Sequence, residues 1–344
     1  MPLMMKRAGF PAGGWRAAAA WLAVAGVLAA AALILWQELR PPARLAPAPQ
    51  RAVAVRAERL PGDGAVLGPF RLAGALALYS DDAGFGGLSG LAALPDGRLL
   101  AASDAGQWLR LRPVVAAGRL RSVAGAEMGA IAAPAGDKTD LDSEAIAFTP
   151  DGRTLVSFEQ RHRILAFAGI GPPQRPAGAL YRTLALDWPP NGGGETLAVL
   201  PDGAWLWLSE AARAGGDARR ALLIEAGGRT RQISVPGLAG FSPTDAAVLP
   251  DGRLLLLHRL FNGVSNEAAI TLVDLAPVRA GGDAARARLL ARWGPDRPWP
   301  VDNMEGLALA SEAGKPVLYL VSDDNFSGLQ RTLLLRLEII APLD

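Results

Sequence analysis

Acidic residues recur along the chain at intervals of 50 to 60 residues, each beside a short apolar segment. Eight of them belong to this pattern: Glu144, Glu159, Glu195, Glu210, Asp245, Glu305, Asp323 and Asp324. Carboxylate oxygens suit hard cations, and Ca²⁺ takes about six to eight such ligands. If the fold gathers these acids, the sequence predicts a divalent-metal site, with calcium as the first choice.

Four further side chains lie close to these acids and could take part in catalysis: His162, Arg161, Arg259 and Arg331. Arginine guanidinium groups clamp phosphate oxygens, and a histidine can serve as a general acid or base. The chain has only two His and no Cys. This composition excludes a three-histidine zinc site, thiolate metal sites, disulfides and cysteine nucleophiles.

The acids flank five copies of one predicted hairpin. The copies are SGLAALPDGRLLAASD (89–104), EAIAFTPDGRTLVSFE (144–159), ETLAVLPDGAWLWLSE (195–210), DAAVLPDGRLLLLHR (245–259) and EGLALASEAGKPVLYLVSDD (305–324). In four of them Pro-Asp-Gly forms the turn, since proline presets φ, aspartate caps the turn and glycine accepts positive φ. The turn acids Asp96, Asp151, Asp202 and Asp251 are therefore expected to be structural.

Two more strand-like runs separate successive copies, so each repeat offers four strands in roughly 50 residues, the size of a propeller blade. We therefore predict an all-β propeller of five blades. Six blades remain the alternative if residues 104–144 or 260–304 hide another. The last repeat is one strand short, and residues 70–80 are expected to supply that strand, closing the ring by pairing the two termini.

The two strands of a hairpin are antiparallel, so the start of each inner strand lies beside the end of the second strand. All five pairs of ends should gather at one end of the central channel, which we call the mouth. Beside the eight acids, the residues expected there are Ser89, Ser103, Asp104, Asp140, Asp142 and His258. The alternative role for such acids is to accept backbone N–H groups of the next blade.

The N-terminal part of the chain is expected to lie outside this domain. After a basic flank (1–16), residues 17–36 form an uncharged run about 30 Å long as a helix, which matches a bilayer core. We predict a membrane anchor, with a cleaved signal peptide as the alternative. Residues 37–66 have the proline-rich composition of a linker, and the propeller is assigned to 67–344. The domain is thus expected in the periplasm, anchored to the inner membrane or released after cleavage.

Charge argues against a nucleic-acid partner. Residues 45–344 hold 30 basic and 32 acidic side chains, whereas nucleic-acid-binding domains are usually basic. The expected partners are a small phosphoester or ester substrate and, through residues 17–36, the membrane.

Several segments, among them DLDSEAIAFTPDGRTLVSFEQRHRI and PNGGGETLAVLPDG, resemble the bacterial phytase-like family named for "esterase-like activity of phytase". The resemblance covers residues 68–340. It implies an exported propeller and, by analogy with calcium-dependent propeller phytases, phosphoester hydrolysis. The family's recurrent acids fall on Glu144, Glu159, Glu195, Asp245, Glu305, Asp323 and Asp324, with His162 and Arg331 beside them. The sequence departs from the usual pattern at Gly194, where a bulkier residue is more common.

Three functions follow from these observations. The first is a calcium-dependent phosphoesterase at the acidic mouth. The second is a sugar-ester hydrolase similar to gluconolactonases, with Asn303, Glu305 and Asn325 as metal ligands. The third is a binding or scaffold propeller of the cell envelope without catalysis.

Overall fold

The computed structural model describes residues 49–133, 138–177, 182–183 and 186–343. Its strands form five antiparallel sheets, arranged as the blades of a propeller. The prediction of a five-bladed all-β propeller is confirmed. The predicted anchor, residues 17–36, lies outside the described residues. Within the described ranges, no helix has the length and apolarity needed to span a membrane.

The strands, numbered along the chain, occupy equivalent places in the five blades. The innermost strands are β5 (Leu88–Ala93), β9 (Ser143–Phe148), β13 (Thr196–Val199), β17 (Ser242–Val248) and β21 (Asn303–Glu312). The second strands are β6 (Leu99–Ser103), β10 (Arg153–Phe158), β14 (Trp205–Gly215), β18 (Leu254–Phe261) and β22 (Lys315–Asp323). The third strands are β7 (Gln107–Ala116), β11 (Arg163–Ala168), β15 (Ala218–Ile224), β19 (Asn266–Asp274) and β23 (Thr332–Ile339). The fourth strands are β8 (Arg119–Ala130), β12 (Arg182–Thr183), β16 (Thr230–Val235), β20 (Arg286–Trp293) and β4 (Phe70–Tyr79).

The ring closes where the sequence predicted. Strand β4 pairs antiparallel with β23, with Leu76 opposite Leu334 and Ala77 opposite Leu333. The fifth blade therefore takes its outer strand from the N-terminal side of the domain. This closure leaves the five-blade ring without a free end between its first and last sheets.

Three short strands lie outside the four-strand pattern. They are β1 (Arg51–Ala52), which pairs with β8, and β2 (Arg56–Arg59) and β3 (Val66–Leu67), which both pair with β4. These residues belong to the segment whose composition is typical of a linker. They form strands because the outer edges of two blades offer them unpaired backbone groups, and Asp82 offers Arg51 a two-bond ion pair.

The hydrophobic core lies between neighbouring blades. Five clusters of buried apolar side chains occupy the five interfaces between successive sheets. Both faces of each sheet are therefore covered, which explains why strands such as β6 (LLAAS) and β18 (LLLLHRLF) begin with continuous apolar runs rather than an alternating pattern.

The turns opposite the mouth follow the chemistry of their sequence. Gly97 and Gly252 take φ values of +81° and +84°, which only glycine adopts at little cost. Asp96 forms an ion pair of 2.6 Å with Arg98. Two one-turn helices, α1 (Lys138–Leu141) and α2 (Ala276–Arg279), occur in the described residues.

Leu76 lies on β4, the strand that closes the ring. Leu76→Ala removes part of the packing between two blades and should lower the free energy of unfolding by about 2–5 kcal/mol. Leu76 is fully buried between the fifth and first blades. Val66, on β3 of the same sheet, is 55% exposed, so Val66→Ala is the matched control and should change stability by less than about 0.5 kcal/mol. Urea denaturation of both variants measures the difference. Equal midpoints would show that closure contributes little.

Candidate functional site

Irregularities in the inner strands direct acidic side chains into the mouth. The pairing register between inner and second strand shifts near the mouth in four blades. The residues inserted at these shifts include Ser89, Glu144, Asp245 and Glu305. In the third blade, Glu195 directly precedes β13. A β-bulge re-aims a side chain at the cost of one ladder position, so the bulges explain how these residues leave the pleat of their sheets.

Three carboxylates of the second blade form the tightest acidic group. Each of Asp142, Glu144 and Glu159 offers an oxygen, and these atoms lie within 4.8 Å of one another. All three residues are buried. Sequence reasoning placed Asp142 near Glu144 without including it among the eight ligands; its place in TDLDSE, two residues before Glu144, was the available signal. We call this group the carboxylate trio.

Burial and mutual repulsion disfavour the charged form of these acids. Burial raises the pKa of Glu144 well above its usual value, and the charges of Asp142 and Glu159 raise it further. Burial likewise raises the pKa of Glu195, with Glu144 and Glu210 adding to the effect. A bound cation would relieve both the desolvation and the repulsion.

Glu159 contacts a backbone amide as well as neighbouring acids. Burial raises the pKa of Glu159, but the amide of Gly193 opposes this by donating a hydrogen bond of 2.8 Å to Oε1. The side chain of Glu195 lies close enough to affect the pKa of Glu159, which brings the third blade into contact with the trio. The trio and Glu195 therefore form one acidic cluster that spans two blades.

On the other side of the mouth, the guanidinium of Arg259 neutralises two acids. Its Nε lies 2.6 Å from Glu305, and its Nη2 donates a 3.1 Å hydrogen bond to Glu210. Glu305 raises the pKa of Arg259, so this arginine stays charged. Burial raises the pKa of Glu305, and Arg259 counteracts that shift.

Asp245 accepts backbone N–H groups of other blades, which is the structural role given above as the alternative for acids at strand ends. One carboxylate oxygen accepts the amides of Leu307 at 2.8 Å and Leu91 at 3.2 Å, and the other accepts the amide of Ala246 at 2.8 Å. These amides belong to three inner strands, β21, β5 and β17. Asp245 thus braces the channel below the mouth rather than facing it with free oxygens.

The two acids at the end of β22 differ in their partners. Asp323 is buried, and burial together with the charge of Asp104 raises its pKa. Asp324 accepts the amide of Gly87 at 3.0 Å and the hydroxyl of Thr332 at 2.9 Å. Asp324 therefore fastens the first blade's entry loop to the fifth blade.

The structure places two of the remaining predicted catalytic side chains at the exposed rim and buries the third. Arg161 is 63% exposed and pairs with Asp140 at 2.8 Å. Arg331 is 42% exposed and pairs with Asp302 at 3.3 Å. His162 is buried, and its Nε2 lies 3.1 Å from the carbonyl oxygen of Pro189. Of the four predicted catalytic residues, Arg259 is thus the one that pairs with two of the eight acids predicted as metal ligands.

A serine of the second strand lies near the mouth in four blades, and of these four the sequence predicted only Ser103 at the mouth. These serines, all fully buried, are Ser103, Ser157, Ser209 and Ser322. Ser157 Oγ, for example, accepts the amide of Ala145 at 3.0 Å and so stabilises the bulge that presents Glu144. Ser103 and Ser209 both lie seven residues after the aspartate of their Pro-Asp-Gly turn, and this shared spacing was a readable signal.

The proposed lactonase-type ligand set is only partly assembled. Asn303 is buried, and its side chain lies close enough to Glu305 to lower the pKa of that carboxyl. Asn325 is exposed, and its amide donates to Gln330 at 2.9 Å. The described contacts therefore join Asn303 with Glu305 and direct Asn325 elsewhere.

The architecture defines a five-bladed β-propeller with a buried acidic mouth. The sequence matches the phytase-like family, described as "Esterase-like activity of phytase", over residues 83–326. The chain belongs to this family. No curated protein sequence matches the chain.

Solved structures of similar fold share little sequence with this chain. The PQQ-bound aldose sugar dehydrogenase of Streptomyces coelicolor is 16% identical, with a TM-score of 0.42, covering 85% of this chain and 100% of that one. A putative gluconolactonase is 12% identical, with a TM-score of 0.39 and coverages of 83% and 98%. Virginiamycin B lyase of Staphylococcus aureus is 9% identical, with a TM-score of 0.38 and coverages of 83% and 100%.

His258, next to Arg259, predicts how stability depends on pH. The side chain is fully buried, its Nε2 lies 2.8 Å from Thr271 Oγ1, and burial lowers its pKa to about 3. In the unfolded chain its pKa is about 6.5, so below that pH the unfolded state binds a proton that the folded state does not. Between pH 7 and 5, the wild type should therefore lose about 2 kcal/mol more than His258→Gln.

Urea denaturation of both proteins at pH 7 and pH 5 measures this difference. All other titrating groups are present in both proteins, so their contributions cancel. Parallel pH dependence in the two would contradict a neutral, buried His258.

Proposed function

We propose that the protein is a calcium-dependent phosphoesterase whose site is the acidic mouth of the propeller. The observation that carries this proposal is the carboxylate trio of Asp142, Glu144 and Glu159, buried within 4.8 Å of one another. Membership of the phytase-like family supports the same reaction class. The alternative is a propeller of the cell envelope that binds a partner without catalysis.

The donor set fits a hard cation. All three groups are carboxylates, and the acids beside them add oxygen rather than nitrogen or sulfur ligands. Burial excludes the water that would otherwise solvate their charges, which raises the pKa of Glu144. In the proposal, Asp142, Glu144 and Glu159 hold Ca²⁺. When bound, the ion supplies charge neutralisation and Lewis acidity toward a phosphate oxygen.

The protein's own residues supply positioning and proton transfer. Arg259 keeps Glu210 and Glu305 neutralised and presents a guanidinium to the mouth, where it can orient a phosphate. Arg331, at the rim, is a second candidate for contacting the substrate. Glu195 lies beside the trio, and its raised pKa suits a group that gives and takes a proton at a carboxylate oxygen.

Placement in the cell envelope is also part of the proposal. Its support is the uncharged run at residues 17–36, which is long enough to cross a bilayer. Alkaline extraction of membranes separates the two alternatives, since a spanning anchor keeps the protein in the pellet and a cleaved signal peptide releases it.

The metal proposal predicts opposite effects of one substitution with and without calcium. In EDTA, Glu144→Gln should raise the melting temperature of the full chain, because it removes a buried charge that neighbouring acids repel. In calcium, the wild type should gain about 2.7 kcal/mol at 100 times the Kd, and Glu144→Gln should lose this gain. Thermal melts of both proteins measure these shifts.

Asp96→Asn, in a turn opposite the mouth, is the matched control and should keep the calcium-dependent shift. A wild type whose melting temperature does not respond to calcium would overturn the metal site. The binding-module alternative would then be preferred.

Glu195→Gln should separate proton transfer from metal binding. The variant should keep the calcium-dependent rise in melting temperature, while kcat for p-nitrophenyl phosphate falls about 10²–10⁴-fold, the usual contribution of a general acid or base. Steady-state kinetics in calcium provide the measurement. Unchanged kcat would remove Glu195 from the reaction, and absence of wild-type hydrolysis would reject phosphomonoesters as substrates.

A further inference from the structure

The glycine loop, which we define as residues 189–194, joins the second blade to the third at the mouth. On the second blade, the amide of Gln160 donates to the carbonyl of Pro190 at 3.0 Å. On the third blade, the amide of Ala211 and the hydroxyl of Ser209 donate to the carbonyl of Gly192, at 2.8 and 2.9 Å. The position of the loop is therefore set by both blades at once.

The same loop orients two acids of the candidate site. Gly193 donates its amide to Glu159 Oε1 at 2.8 Å. The carbonyl of Gly193 accepts the amides of Glu195 at 3.1 Å and of Glu210 at 2.9 Å. A shift of Gly193 would thus move the side chain of Glu159 and the backbone that carries Glu195.

His162 lies against this loop. Its Nε2 is 3.1 Å from the carbonyl oxygen of Pro189, and since a carbonyl only accepts hydrogen bonds, Nε2 carries the hydrogen. Its ring packs edge-on against Trp188 and Trp207, with centroid distances of 5.9 and 6.3 Å. The ring also touches Gly193 so closely that a Cβ there would lie 2.0 Å from Cε1.

The tryptophan behind the histidine completes this support. Trp207 Nε1 donates to the carbonyl of Gly194 at 3.0 Å. A Cβ on Gly194 would lie 2.1 Å from the Trp207 indole, so the large ring occupies the space that a bulkier residue at 194 would need. The two glycines allow the loop to lie flat on His162 and Trp207.

We propose that His162 is a positioning residue, which fixes the glycine loop so that the Gly193 amide aims Glu159 into the carboxylate trio. Its Nε2 hydrogen is directed at a backbone carbonyl, and the side chain is 8% exposed, which does not suit a group that exchanges protons with a substrate. The effect on metal binding rests on the proposed function. The contact with the loop does not.

The test compares two substitutions of His162 with one of the other histidine. His162→Phe keeps a ring and removes the Nε2 donor, whereas His162→Gln keeps an N–H donor in a similar place. His258→Gln, at the other buried histidine, is the control for a general loss of stability. Hydrogen exchange at the Gly193 amide and the Kd for calcium, by titration calorimetry, are measured for all four proteins.

In His162→Phe, we expect exchange at Gly193 to be at least about tenfold faster relative to core amides such as Leu307, and the Kd for calcium to rise about tenfold. His162→Gln should recover most of both properties, and His258→Gln should leave the relative exchange of Gly193 unchanged. Wild-type exchange at Gly193 in His162→Phe would overturn the positioning role. If the wild type binds no calcium, the metal proposal fails, and the exchange data alone decide the role of His162.

Discussion

Closing the ring through β4 and β23 makes five inner strands begin around one axis, and this constraint governs the chemistry of the mouth. Side chains at equivalent positions of a repeat become neighbours in space. A carboxylate at the end of an isolated hairpin would be repelled by no neighbour, but here it lies close to carboxylates of the other blades. Burial between the blades then strengthens their repulsion, because little water remains to screen it.

The acids around the mouth differ in which groups offset this repulsion. Asp245 receives backbone amides, and Glu210 and Glu305 receive the Arg259 guanidinium. The carboxylate trio instead keeps pKa-raising neighbours on several sides. A cation held by the trio, as we propose, would supply there the positive charge that Arg259 supplies to Glu210 and Glu305.

Because the sequence repeats, the fold could be predicted from it, whereas the contacts of individual side chains could not. Pro-Asp-Gly turns and apolar runs predicted the five blades, and the missing strand of the last blade predicted the closure. They could not show that Asp245 reaches the amides of Leu91 and Leu307, since that depends on how closely inner strands approach across the axis. Nor could composition show that Arg51, in a proline-rich stretch, finds an ion-pair partner in Asp82 and an edge strand to pair with.

The brace formed by Asp245 also determines how the centre of the ring is held together. One carboxylate accepts amides of three inner strands, so at that depth these strands approach one another to within the reach of a single side chain. The loss of this one carboxylate would leave amides of the fourth, fifth and first blades without their acceptor at the same time. Three of the five blades thus share a single point of weakness at the centre of the ring.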